Sequence, residues 1–267
     1  MTRIDPVASP AEPDSLIHRL SLHRKGEKAR KGARKGAGFN FGGNRKTKSA
    51  ERPKINPAPF PEYACTLMAR DCGIEMAECR LLEENGRRHF MTRRFDRTAE
   101  GRKLHMQSLG ALAHYDHNLA GAYACEQALQ AMQRLGLGID EREQQFRRMA
   151  FNIVARNQDD HVKNIAFLMN PAGQWRPSPA FDVTYSYNPS GRWTDRHQMS
   201  LNGKRDDFTL ADFQACARNT AMKRGRAAVI LAEVEQAVSQ WPQYADQARV
   251  PEATMKKIQR AHRVGFV

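Results

Sequence analysis

The 267-residue sequence contains no run that approaches the roughly 18 apolar residues of a membrane-spanning helix. Its first thirty residues lack the apolar segment of a secretory signal. The five cysteines are odd in number and form no CxxC pair, so we expect neither a disulfide framework nor a structural zinc site. These absences favour a cytoplasmic protein without a membrane partner, in which the cysteines fill the core.

Positive charge is in excess, and most of the net charge lies at the N-terminal end. The chain carries 43 Lys+Arg against 29 Asp+Glu, a formal net charge of +14, and residues 1–54 hold 14 of these cations against five acids. Apolar residues are few there, and no helical or strand periodicity is sustained. We therefore predict a basic, glycine-rich, disordered arm over 1–55. Such an arm either binds nucleic acid through counterion release or is a solvated segment with no specific role.

The rest of the chain has the pattern of an α+β protein that is mainly helical. Hydrophobic residues make up 40% of the sequence, which is enough for a core. Helical spacing over 62–71 precedes two predicted strands, 77–83 and 88–95, that the Asn85-Gly86 hairpin signal joins. We expect residues 56–97 to form a small lobe with a hinge, and residues 98–267 to form a larger helical lobe.

Amphipathic patterns define the predicted elements of the larger lobe. Helices are expected over 123–135, over 141–156 and at several positions beyond 209. Short strands are expected over 167–169, 174–176 and 198–202.

The segment NQDDHVKN at 157–164 contains the residues with the clearest chemical signal. Asp159 and Asn164 have the Asp-x4-Asn spacing of a kinase catalytic loop, and Asp182 follows in SPAFDV at 178–183. Phosphoryl transfer needs a carboxylate that accepts the acceptor proton, oxygen ligands that hold Mg²⁺, and a cation that neutralises developing charge. Asp159 matches the first requirement, Asn164 and Asp182 match the second, and Lys163 matches the third.

Two other interpretations of this loop remain open on spacing alone. The Asp-Asp-His cluster is compatible with a first-row metal site of a hydrolase, although His161 is the only histidine nearby and the others form no HxH or HxxxH pair. The segment is also compatible with an ordinary loop that is rich in turn-forming residues.

At these motifs the sequence resembles the HipA family, the kinase-fold Ser/Thr protein kinases that act as toxins of bacterial type II toxin–antitoxin pairs. The resemblance runs from about residue 62 to 213. It includes EYACTLMARDCGIEM at 62–76, RRFDR at 93–97 and, most specifically, the pair NxDDHxKN and SPAxDV. It implies a protein-kinase-like fold that uses ATP and Mg²⁺.

The resemblance also implies roles for individual residues. Asp159 is similar to the catalytic aspartate, and His161 and Lys163 match catalytic-loop positions, His161 as a residue that braces the loop. Asn164 and Asp182 match the magnesium ligands. Nucleotide-binding positions are matched by the hinge residues Arg93, Phe95 and Asp96, and by Glu62, the helix glutamate that pairs with a phosphate-anchoring lysine.

The partners that the resemblance implies are a HipB-like antitoxin and a protein substrate such as an aminoacyl-tRNA synthetase, whose phosphorylation halts translation. DNA contact is expected either through the antitoxin complex or through the basic arm.

The sequence departs from the family upstream of residue 56. Lys48 and Lys54 lie about where the phosphate-anchoring lysine belongs, but neither stands in a strand-like alternation, and Pro53 opposes strand pairing at Lys54. The small lobe is therefore expected to be incomplete. One explanation is a truncated or frame-shifted member, and another is a short form that a separate subunit completes. The alternative function is a pseudokinase remnant that binds an antitoxin or nucleic acid without catalysis.

Overall fold

The computed structural model describes residues 60–84 and 87–267. The arm predicted over 1–55, the lysine candidates Lys48 and Lys54 and the Asn85-Gly86 turn lie outside the described residues.

A helix and a hairpin open the described part of the chain. Helix α1 (Phe60–Asp71) confirms the helix predicted at 62–71. It stops at Gly73, whose φ of +75° is a conformation that glycine adopts without steric cost. Strands β1 (Cys79–Glu84) and β2 (Arg87–Thr92) then pair antiparallel, as the predicted hairpin requires.

A second, three-stranded antiparallel sheet positions the chemical motifs. Its order is β3 (His105–Ser108), β4 (Ala166–Met169) and β5 (Trp175–Pro177). Because β4 and β5 are antiparallel neighbours, the residues before β4 and the residues after β5 emerge at the same end of the sheet. The segments 157–164 and 178–186 are therefore brought side by side.

Helices form most of the remaining regular secondary structure of the described residues, as the sequence predicts. They are α2 (Leu109–Ala113), α3 (Cys125–Arg134), α4 (Ile139–Val154), α5 (Leu210–Asn219), α6 (Arg226–Ser239), α7 (Trp241–Gln247) and α8 (Glu252–Ala261). The predicted class, α+β and mainly helical, is confirmed.

Helix α4 is the centre of the core. It packs against α3 and α6, and almost every residue of its second half is buried. Arg147 and Arg148 are among the buried residues, and each donates a hydrogen bond to a carbonyl of another segment, at Cys72 (2.8 Å) and Ser178 (2.9 Å). The same helix that forms the core thus fixes the start of the segment that carries Asp182.

Two further expectations can be compared with the structure. All five cysteines are buried and free, in agreement with their predicted role as core residues. The strand predicted at 198–202 is wrong, because only isolated bridges occur there. The amide of Gln198 donates to the Asp160 carboxylate instead of a neighbouring strand, and Asn202 turns the chain with a φ of +49°. Within the described residues, no helix has the length and apolar character needed to cross a membrane.

The position of α4 yields a stability prediction. Phe146 is fully buried, and its ring lies edge-on to Phe213. We expect Phe146→Ala to lower the free energy of unfolding by about 3–5 kcal/mol, since it leaves a cavity in the core. Urea unfolding measures the change. Leu119→Ala, at a position 56% exposed, is the control, and equal losses in the two variants would contradict the central role of α4.

Candidate functional site

The loop 157–164 leaves α4 through a sharp change of backbone direction and leads into β4. Arg156 adopts a left-handed conformation with φ of +58°, which ends the helix two residues earlier than the predicted limit. Val162 is buried and anchors the loop to the body, while Lys163 is exposed. The loop therefore presents its polar side chains from a fixed base.

The side chain of Asn164 connects the two motifs. Its amide Nδ2 donates to the Asp182 Oδ2 carboxylate oxygen at 3.0 Å and to the Asp159 main-chain oxygen at 2.9 Å. The three residues that the sequence singled out for proton transfer and metal binding therefore lie together at one end of the β3–β4–β5 sheet.

Asp182 follows a segment that is held firmly on both sides. Ala180 donates its amide to the Glu75 carbonyl at 2.8 Å, and Val183 is buried. Between them, Asp182 takes a left-handed conformation with φ of +56° and is exposed. An aspartate tolerates this conformation better than most residues do, and the result is a carboxylate that projects from a packed segment.

Glu62, at the start of α1, lies close enough to Asp182 for their charges to interact. Burial raises the pKa of the half-buried Glu62 carboxyl above its ordinary value of 4.5, and the negative charge of Asp182 raises it further. Because the folded pKa is the higher one, the stability that Glu62 contributes is present below its unfolded pKa and is lost as the pH rises through its folded pKa. The site thus concentrates negative charge, which a bound cation would relieve. The lysine expected to pair with Glu62 lies outside the described residues.

The predicted hinge is organised around Asp96. Its carboxylate accepts two hydrogen bonds from Arg94, both at 2.6 Å, and one from Arg97 at 2.5 Å. The hydrogen bonds from Arg94, with the charges of Arg94 and Arg97, lower the pKa of Asp96 to about 2. The Asp96 carboxylate is therefore occupied by the side chains of Arg94 and Arg97.

The other two predicted hinge residues differ in where they point. The Phe95 ring packs on Phe181, the residue before Asp182, with 5.5 Å between ring centroids. Arg93 is exposed and pairs loosely with Glu78 at 3.5 Å. Phe95 therefore links the hinge to the Asp182 segment, whereas Arg93 extends away from the ion pair at Asp96.

His161 lies beside Asp159, with its Nε2 atom 3.7 Å from a carboxylate oxygen. Its ring also meets the edge of His117. Both contacts lie within or next to the loop, in keeping with a bracing position.

The donor set suits magnesium better than a transition metal. The carboxylate oxygens of Asp182 and the amide oxygen of Asn164 are hard ligands of the kind that Mg²⁺ binds together with phosphate oxygens. Among the residues that the structure describes, no group of three His, Cys, Asp or Glu side chains is arranged to hold a metal. A protein-only site of the hydrolase type is therefore absent from this part of the chain.

Sequence reasoning missed the contribution of Ser186. Its hydroxyl donates to Asn157 Oδ1 at 2.8 Å and accepts the Asp159 amide at 3.0 Å, while its own amide donates to the Arg156 carbonyl. We call this set of bonds the Ser186 clasp. It joins the segment after Asp182 to the loop that carries Asp159. Only the position of Ser186, four residues after Asp182, offered a signal.

A second missed contact involves Asp160, which differs from its neighbour Asp159 in being buried. Its carboxylate lies 2.8 Å from His197 Nδ1 and accepts the Gln198 amide at 2.7 Å. His197 is fully buried. The two consecutive aspartates thus have different surroundings: the Asp159 carboxylate is partly exposed beside His161, and the buried Asp160 carboxylate fastens the loop to the segment around residue 197.

Comparison with known proteins decides the family. A family model described as the HipA-like C-terminal domain matches residues 39–241. The chain belongs to this family.

A solved structure agrees with this assignment at the level of the fold. The HipA protein in a complex of the *Shewanella oneidensis* MR-1 HipA and HipB toxin–antitoxin system with operator DNA superposes with a TM-score of 0.63 and 16% identity. The match covers 79% of this chain and 56% of that HipA chain, so this chain spans little more than half the length of its HipA relative. A second match is the *Helicobacter pylori* proinflammatory kinase CtkA, with a TM-score of 0.44, 12% identity, and coverage of 77% of this chain and 83% of that one. Curated protein sequences yield no match.

The Ser186 clasp in this HipA-like domain leads to a prediction about the Asp159 backbone. Ser186→Ala removes the acceptor of the Asp159 amide, so we expect that amide to exchange with solvent about fivefold faster, the equivalent of about 1 kcal/mol. Hydrogen–deuterium exchange of a peptide covering the loop measures this. Ser190→Ala, at an exposed serine of the same segment, is the control. Unchanged exchange at Asp159 in Ser186→Ala would show that the clasp does not hold the loop.

The electrostatics of Glu62 lead to a second prediction. Asp182→Asn removes the nearby negative charge, so the pKa of Glu62 should fall, yet remain above its ordinary value because burial persists. Carboxyl carbon NMR titration measures this pKa. Asp246→Asn, at an exposed position on α7, should leave it unchanged, and an identical Glu62 midpoint in wild type and Asp182→Asn would refute the coupling.

Proposed function

We propose that this chain is an ATP- and Mg²⁺-dependent Ser/Thr protein kinase of the HipA type. The observation that carries the proposal is the double hydrogen bond of Asn164, which joins the Asp182 carboxylate to the main chain of Asp159. The proximity of an amide and two aspartates on adjacent segments supports the proposal, because phosphoryl transfer requires residues of these types close together.

Each residue of the site has a role in nucleotide binding or positioning. Asn164 and Asp182 would hold magnesium through their side-chain oxygens, and bound magnesium would neutralise charge on the phosphates. The hinge that Asp96 braces, with Phe95 beside it, would hold the adenine, and Arg93 lies at its edge. Glu62 would orient the phosphate-anchoring lysine.

The transfer itself depends on Asp159. The Asp159 carboxylate orients the acceptor hydroxyl and takes its proton while the acceptor oxygen bonds to the γ-phosphorus. The bond from that phosphorus to the bridging oxygen breaks, and its electron pair leaves with ADP. Lys163 supplies positive charge near the transferred group, and His161 keeps the loop in place.

Partners follow from the same proposal. The *Shewanella* HipA relative was captured with HipB and operator DNA, and we propose a HipB-like antitoxin as the partner of this chain, with DNA contacted through that complex. The acceptor would be a cytoplasmic protein such as an aminoacyl-tRNA synthetase, and its phosphorylation would halt translation.

The competing proposal, a pseudokinase that binds an antitoxin or nucleic acid, differs in its response to nucleotide. ATP titration by calorimetry, with and without Mg²⁺, separates the two. Saturable binding that requires Mg²⁺ supports the kinase, and the absence of such binding supports the pseudokinase.

Asp159→Asn provides the test of catalysis. The variant keeps the size of the side chain but removes the proton acceptor, so we expect phosphotransfer to fall about 10²–10⁴-fold, with growth arrest lost as well. Radiolabel transfer from ATP measures the first effect and colony formation the second. Asp246→Asn is the matched control. Toxicity equal to wild type in the Asp159→Asn variant would remove the enzymatic account.

A further inference from the structure

A groove of about 690 Å³ lies on the far side of the Ser186 clasp from the catalytic loop. We call it the basic groove. Its polar lining comes from Arg156, Tyr185, Tyr187, Lys256, Lys257 and Arg260.

Charge distinguishes this groove from the surface around it. Four cationic side chains line it, and no acidic residue does so among the described lining residues. By contrast, residues 55–267 as a whole are nearly balanced, with 29 Lys+Arg and 24 Asp+Glu. Positive charge is therefore concentrated here beyond what the composition of the body would produce.

The individual cations differ in how far they are already engaged. Arg156 stacks over the Tyr187 ring at 4.2 Å, and Lys256 pairs with Glu252 at 2.5 Å. Lys257 and Arg260 are exposed, and their i, i+3 spacing places them on one face of α8. These two side chains can bind an anion without first breaking an ion pair at the groove.

The segment 185–187 borders both the catalytic loop and the basic groove. Residues 185–187 run without helical structure, and successive side chains of such a segment point to opposite sides. Ser186 faces the catalytic loop and accepts the Asp159 amide, while Tyr185 and Tyr187 line the groove. One three-residue segment therefore contacts the Asp159 backbone through its middle side chain and lines the groove with the two flanking side chains.

We infer that the basic groove binds an acidic segment of the acceptor protein, next to the serine or threonine that is phosphorylated. The inference rests on the proposed kinase function and adds a substrate class to it. Guanidinium and ammonium groups form charge-assisted hydrogen bonds with Asp and Glu carboxylates, and tyrosine hydroxyls donate further bonds. Asp159, Asp182 and Glu62 repel acids on the catalytic side, so acidic residues gain most when they lie in the groove.

The test measures peptide binding in the absence of ATP. Its result therefore does not depend on whether the chain is an active kinase. The probe is a fluorescent serine peptide flanked by Asp and Glu, and its counterpart carries Asn and Gln instead. We expect the full chain to prefer the acidic peptide, and Lys257→Glu/Arg260→Glu to weaken its binding at least about fivefold, an effect that salt reduces. Lys223→Glu/Arg224→Glu, an exposed basic pair on another surface, should change it less than about twofold.

A photocrosslinker on the acidic peptide locates the contact directly. Crosslinks to Tyr185, Tyr187 or α8 support the inference. It is overturned if crosslinks fall only within residues 1–54, if both double variants lose binding equally, or if the neutral peptide binds as well as the acidic one. A single-stranded oligonucleotide is the last arm: loss of oligonucleotide binding in Lys257→Glu/Arg260→Glu, without loss of peptide binding, would assign the groove to nucleic acid instead.

Discussion

The antiparallel pairing of β4 with β5 is the constraint on which the site depends. It returns the chain to the end of the sheet at which β4 began, where Ser178 donates its amide to the Ala166 carbonyl at 2.9 Å. The strand pairing therefore brings Asn164, just before β4, close to Asp182, a few residues after β5. A register shift of one residue would turn β4 side chains that are now buried toward the opposite face, so the core that stabilises the sheet also stabilises the geometry of the site.

Around this constraint the molecule separates charges of opposite sign. Asp159, Asp182 and Glu62 gather on the side where a metal and phosphates are proposed to bind, and the pKa of Glu62 is raised by burial and, to a lesser degree, by the charge of Asp182. Cations lie on the other side of the Ser186 clasp, at Lys257 and Arg260. Within the proposed function, this separation of charge orients a substrate. The metal with its bound phosphates is attracted to the acidic side, and acidic protein segments are attracted to the basic groove.

Sequence patterns predicted the elements whose signals are local. The helix ended by Gly73, the amphipathic α4 and the strands on either side of residue 170 follow from periodicity and stop signals close in the chain. The meeting of Asn164 with Asp182 was anticipated from motif spacing and family resemblance. The bond from the Gln198 amide to Asp160 was not, because its partners are 38 residues apart and nothing near residue 198 reveals where that amide finds an acceptor. Ser186 was missed for the same reason: its role depends on which backbone amide tertiary packing places opposite it.

The main chain of residue 159 is held at both its amide and its carbonyl. Ser186 Oγ accepts a hydrogen bond from the amide, and Asn164 Nδ2 donates one to the carbonyl oxygen. Neither of these two bonds uses the Asp159 carboxylate, so a substitution at position 159 keeps both of them and changes only the side-chain contact with His161. A descendant of such a protein can exchange the reactive carboxylate for another group and keep its architecture, so that inactive members with intact folds are accessible through a single codon change.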